Sequence, residues 1–169
     1  MNKWLTLMLL GIAILALDIA SKAITHVYFQ PFEYSPHYFP FGGVAIFKSF
    51  LGIDFCIHHV TNKGIAWGMG GHLQNFIIVA RTAIIGGLIV YLARSPKAYI
   101  QRIPLMLIIA GGLGNIIDYF IYGHVVDMFH FILWGYSFPV FNVADASIFF
   151  GILTLLLKGL KRDAFQARN

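Results

Sequence analysis

Long apolar runs alternate along this chain with short charged breaks. Four runs approach or reach the roughly 20 apolar residues that a bilayer crossing needs: about 4–23, 76–92, 103–122 and 143–160. Between the first and second, residues about 25–75 follow a different pattern. Pro31, Pro36 and Pro40 break its first part, Lys48 and Asp54 interrupt its apolar runs, and no stretch reaches spanning length. Ile53, Phe55 and Ile57 alternate with Asp54, Cys56 and His58, a period of two that predicts a short strand. Residues 95–102 (SPKAYIQR) read as a polar loop, and 122–142 as a loop returning from the third run. The first run has the outline of a secretory signal peptide. Asp18 and Lys22, however, fall where a cleavage region is small and uncharged, so a retained span is expected. The pattern predicts a membrane all-α fold, a four-transmembrane-helix bundle with a small β element. By length it is a single integral membrane domain over residues 1–169.

Composition narrows the class. The chain is 59% hydrophobic and 11% charged, where a soluble domain carries about 25% charge. Its net charge of +5 is not a nucleic-acid footprint, because the bases sit in short loops and tails. Lys3, Arg94, Lys97, Arg102, Lys158, Lys161, Arg162 and Arg168 flank the runs so that four crossings bring all of them to one side. By the positive-inside rule both termini are cytoplasmic, and 25–75 and 122–142 lie outside. The single Cys56 excludes an internal disulfide and a multi-cysteine metal site; it reads as a small packing residue.

This topology sets Asp18, Asp118, Asp127 and Asp145 at or near the outer ends of spans, at one depth. Ionisable groups there are expensive and are functional candidates by default. Each has an ordinary alternative. Asp18 and Lys22, four apart, share a helix face and form either a buried ion pair locking this helix to its neighbours or part of the catalytic machinery. Asn115 and Asp118, three apart near Gly111, Gly112 and Gly114, make either a polar clamp or a substrate contact. Asn142 is placed to cap the fourth span with Asp145 three residues on. Asp127, beyond Gly123 in VVDMFHFIL, is poorly explained by packing. Two carboxylates sharing a proton form an acid–base pair, so Asp127 and Asp145 read as the dyad of an intramembrane aspartic peptidase. Asn62 and Gly64, in a loop with four glycines between 64 and 71, form either a plain turn or a holder for extended peptide. A small proton-coupled transporter or channel subunit is the alternative, and it would spread carboxylates through the membrane depth. His124, Asp127 and His130 recur at threes, but the sequence has no HExxH, so no metal and no cofactor are expected.

LDIASK at 17–22, NKGIAWG at 62–68, GGLGNIIDYFIYGHVVDMF at 111–129 and FNVADASI at 141–148 stand in order over most of the chain. In this combination the chain resembles the bacterial lipoprotein signal peptidase family, signal peptidase II. The resemblance implies a four-helix inner-membrane aspartic endopeptidase with an extracytoplasmic β-rich cradle. Its implied substrates are diacylglyceryl-modified prolipoproteins, cut just before the lipidated cysteine by water that the dyad activates. It implies Asp127 and Asp145 as catalytic residues, with Asp18, Lys22, Asn62, Asn115, Asp118 and Asn142 in support. Membrane lipids are the expected surroundings, nucleic acid is not a partner, and a monomer is expected. The chain departs from the family pattern at Tyr119, where arginine is usual, and at Lys63, Ile65 and Trp67, where threonine, alanine and phenylalanine are more common.

Overall fold

The computed structural model describes residues 3–63, 71–94 and 98–166. Four helices carry the chain: α1 (Lys3–Tyr28), α2 (Gly71–Arg94), α3 (Ala98–Tyr122) and α4 (Val143–Gln166). Among the described residues Trp4–Tyr28, Asn75–Arg94 and Arg102–Tyr122 are long and apolar enough to cross a membrane. At a rise of about 1.5 Å per residue, the 24 residues of α4 also exceed a hydrocarbon thickness of about 30 Å. Every helix outruns its apolar core as read from sequence, because polar residues at membrane surfaces continue a helix without belonging to the apolar run. The clearest correction is at 95–102: Ala98–Arg102 is the first turn of α3 rather than loop, and Arg102 lies over the Trp4 ring at 4.1 Å. That cation–π contact joins the starts of α1 and α3 at one end of the bundle.

Helix α3 is central, packing against α1, α2 and α4, and half of its spanning stretch is buried. Leu7, Ile85, Leu92, Leu105, Ile109 and Ile116 form the bundle core. The α3–α4 seam is close because glycines line it. A methyl at Gly111 would collide with the Ala144 carbonyl, and one at Gly151 would stand 2.7 Å from the Pro104 carbonyl. In a bilayer, where lipid tails are as apolar as side chains, such close packing drives helix association.

The β element is larger than a single short strand. β1 (Val44–Phe50), β2 (Ile53–Asn62), β3 (Val125–Leu133) and β4 (Tyr136–Ser137) form one antiparallel sheet in that order. The strand expected at 53–57 continues to Asn62, and the expected loop at 122–142 contains β3. β3 has no alternating polarity to reveal it, since its first four residues are all buried. Flanking chain packs on the sheet at two strands: His59 on β2 bonds the Phe29 carbonyl, and Phe129 on β3 forms a bridge with Phe141. Gly123 ends α3 in the left-handed region at φ 74°, its N–H donating to the Tyr119 carbonyl, and turns the chain into β3. The sheet thus sits on the ends of α1 and α3, anchored where Thr25 meets Met128 and Asp118 meets the Val126 N–H.

Candidate active site

Lys22 is the centre from which the site is built. It is fully buried on α1, and its ammonium has three donors. They reach Asp18 Oδ2 at 2.7 Å, Asp118 Oδ2 at 2.8 Å and Asn115 Oδ1 at 3.0 Å. Each acceptor also holds another element. Asp18 Oδ1 accepts the Ala144 N–H at 2.8 Å, placing a carboxylate at the positive end of α4. Asp118 Oδ2 accepts the Val126 N–H at 3.2 Å, fixing the start of β3. A buried charge left without partners is strongly destabilising. Here one cation and two anions are satisfied only when α1, α3, α4 and β3 are all in place.

Two amides carry that order to Asp127 and Asp145. Asn115 accepts from Lys22, so its Nδ2 is free to donate to Asp145 Oδ1, at 2.8 Å. Asn142 accepts the Asp145 N–H through Oδ1 at 2.8 Å, capping α4 as its position in the sequence suggests. Its Nδ2 donates to Asp127 Oδ1 at 2.6 Å and lies 3.3 Å from Asn115 Oδ1. The return half of a capping box is not made, because the Asp145 carboxylate turns to Asn115 instead. Asn62, on β2, donates to Asp127 Oδ2 at 2.9 Å.

Both oxygens of Asp127 are therefore held, and the residue is 2% exposed. Burial, and then the neighbouring Asp145 charge, push its carboxyl up to about 7, against the opposing pull of the Asn62 and Asn142 donors. Asp145 is only half-buried and borders an apolar cavity of about 340 Å³ lined also by Phe138, Phe141, Ala146, Phe149 and Phe150. The sheet adds to this apolar surface. Phe129 and Phe131 follow Asp127 on its face of β3, and Phe131 stacks on Phe55 with centroids 4.3 Å apart.

Of the residues singled out in the sequence, Asp18, Lys22, Asn62, Asn115, Asp118, Asp127, Asn142 and Asp145 meet in one network at one end of the bundle. Gly64, Ile65 and Trp67 lie outside the described residues. Asn62 donates to Asp127 Oδ2, at the edge of the network. The backbone N–H groups of Ala144 and Val126 could not be found from residue types, because any residue supplies them. Tyr119 donates its hydroxyl to Asn75 Oδ1 at 2.8 Å, tying α3 to α2. The spacing of His124, Asp127 and His130 makes no common site. Positions three apart on a strand face opposite ways, and His130 instead meets His58 at 3.1 Å.

A helical membrane bundle that holds paired carboxylates beneath an extramembrane sheet defines a polytopic membrane enzyme of the aspartic-peptidase type. Comparison with known proteins agrees. The family described as "Signal peptidase (SPase) II" matches residues 10–161, and the chain belongs to that family. It is 34% identical over 160 residues to a lipoprotein signal peptidase of Xylella fastidiosa (strain M12), covering 90% of this chain and 87% of that one. It is 33% identical over 163 residues to that of Moorella thermoacetica, covering 96% and 97%. With the Staphylococcus haemolyticus lipoprotein signal peptidase the match is 36% over 101 residues and spans 64% of that protein. A bacterial membrane enzyme solved in meso at 1.9 Å superposes with a TM-score of 0.74 at 25% identity, covering 92% of this chain and 93% of that one.

Proposed function

We infer that Asp127 and Asp145 are the catalytic pair of this signal peptidase, and that it cleaves diacylglyceryl-modified prolipoproteins just before the lipidated cysteine. The observation that carries the reading is the joint support of both carboxylates. Asn142 donates to the Asp127 carboxylate and accepts the Asp145 backbone N–H, and Asn115 ties the Asp145 carboxylate to the buried Lys22 cluster. A carboxyl that titrates near neutrality beside a second carboxylate is suited to exchanging a proton during turnover.

In the mechanism, the pair enters the reaction holding one proton. Its ionised member takes a proton from water as the water oxygen attacks the scissile carbonyl carbon. Its protonated member donates to the carbonyl oxygen, giving a neutral tetrahedral intermediate. Collapse returns protons in the opposite sense: the amide nitrogen is protonated and leaves, and the carboxyl product forms. The proton belongs to the pair, so base and acid are roles of the dyad. Asp18, Lys22, Asn115, Asp118, Asn142 and Asn62 are positioning residues that hold the two carboxylates without touching the reacting atoms.

The apolar cavity beside Asp145 suits an acyl chain or an apolar side chain of the signal peptide, with the remaining acyl surface left in the bilayer. The whole of residues 1–169 acts as one peptidase domain and as a monomer. Its termini are cytoplasmic, and its carboxylates face the outer side of the bacterial cytoplasmic membrane. The test uses the purified chain in proteoliposomes with a prolipoprotein in diacylglyceryl and unmodified forms. Signal-peptide release from the lipidated form alone is expected. Equal release from both would contradict the assignment of substrate.

A further inference from the structure

Three histidines far apart in sequence meet outside the carboxylate network. His26 lies in the last turn of α1, His59 on β2, and His124 in the turn between α3 and β3. One ring nitrogen from each lies within 4.8 Å of the other two. The ring centroids are 5.4 Å apart for His26 and His59, and 6.4 Å apart for His124 to either partner.

Burial and hydrogen bonding set which nitrogens are available. His59 is 1% exposed, and its Nδ1 lies 3.1 Å from the Phe29 carbonyl. A carbonyl only accepts, so Nδ1 carries the proton and Nε2 carries the lone pair. His59 Nε2 is buried and has no hydrogen-bond partner among the described residues, and the same is true of His124 Nε2. Buried polar atoms are ordinarily paired, so two orphaned nitrogens in one cluster call for an explanation. A backbone acceptor on one imidazole nitrogen, orienting the other toward a common point, is the arrangement that supports metal-ligating histidines. His26 is exposed and gives the cluster an opening to solvent. Lys63 and Glu33, of opposite charge, both act on the cluster, on His124 and His59 respectively.

We propose that His26, His59 and His124 bind one divalent transition-metal ion of the zinc type, through three imidazole nitrogens with a fourth position open to water. Zinc bonds to histidine at about 2.0–2.1 Å, so tetrahedral ligand nitrogens stand roughly 3.4 Å apart. The three nitrogens, now within 4.8 Å of one another, have at most about 1.4 Å to close to reach that spacing. The ion joins the end of α1, β2 and the turn into β3. It therefore fastens the sheet to the bundle behind Asp127, whose strand partner Val60 adjoins His59. This role is structural and independent of the peptidase reading. A second cluster, Cys56, His58 and His130, is a weaker candidate. His58 and His130 already bond one another, and His130 Nε2 lies 2.8 Å from Ser137 Oγ.

The test uses full-length protein in detergent, purified without a histidine tag, stripped with chelator and titrated calorimetrically with zinc chloride. One zinc per chain and a higher unfolding temperature are expected. His26→Ala and His124→Ala should each weaken binding by more than roughly a hundredfold, since even outer-shell changes cost about 10–100-fold. Cys56→Ser and His130→Ala should leave it unchanged. Zinc-free His26→Ala, altered at an exposed position, should unfold at the temperature of the zinc-free parent, which separates lost binding from misfolding. Cobalt(II) should give visible d–d bands without a thiolate charge-transfer band. Absence of saturable binding at micromolar zinc, or a thiolate band abolished by Cys56→Ser, would overturn the proposal.

Discussion

Asn142 uses both ends of its amide, with Oδ1 on the Asp145 N–H and Nδ2 on Asp127 Oδ1, so the cap of α4 also sets the separation of the two carboxylates. Asn62 holds the other oxygen of Asp127, and its donation favours the ionised form. The folded Asp127 carboxyl, near 7, lies above the ordinary 3.8. The folded chain therefore binds this proton more tightly than the unfolded chain does. That contribution to stability is complete below 3.8 and is lost as pH rises through about 7. Activity should fall over the upper part of the same window as the dyad loses its shared proton. Asn62→Ala removes a donor to the anion, so the alkaline limb of the kcat profile should move to higher pH. If Asn62 served only to hold substrate peptide, KM would rise and the limb would stay where it is. A pH series of kcat and KM on lipidated precursor separates the two.

At the scale of elements, the spans and the polar residues inside them were legible because membrane depth makes a charge conspicuous. Asp18, Lys22, Asn115 and Asp118 announce themselves against apolar neighbours. Strand β3 does not, because burial on both faces removes the alternation that marks a strand, as its run VVDMFHFIL illustrates. The start of α3 was hidden for the opposite reason, since Ala98–Arg102 is polar enough to pass for a loop. The histidine cluster was illegible because its members come from α1, β2 and the α3–β3 turn, which only the fold brings together. Helix packing gives a further prediction. A methyl at Gly114 would collide with Asp18 Oδ2 and stand 3.3 Å from Ala144 Cβ, whereas one at Gly86 on α2 meets nothing within 4 Å. Gly114→Ala should lower the unfolding temperature in detergent and reduce turnover at least about tenfold, because misplaced catalytic groups lose rate steeply. Gly86→Ala should match the parent in both. Equal behaviour of the two variants would show that the α1–α3–α4 junction tolerates expansion and does not hold the site.

For the whole molecule, one end of the bundle gathers the Lys22 cluster, the two aspartates and the sheet, and the other gathers Trp4 and Arg102. With Cys56→Ser as background, a cysteine at the exposed Tyr38 should react with an impermeant thiol reagent from outside intact cells. A cysteine at Gln166, near the end of α4, should react only after the cytoplasm is opened. The reverse pattern would put the carboxylates on the cytoplasmic side and defeat the outward-facing reading. The catalytic claim itself rests on Asp127 and Asp145 working as a unit, and groups that act as a unit lose activity non-additively. The direct measurement is single-turnover cleavage of diacylglyceryl-prolipoprotein by Asp127→Asn, Asp145→Asn and the double variant, each first shown to be folded and inserted. Each single variant should fall by roughly three or more orders of magnitude, to about the rate of the double. A single variant within about tenfold of the parent, or losses that multiply in the double, would contradict a shared catalytic pair.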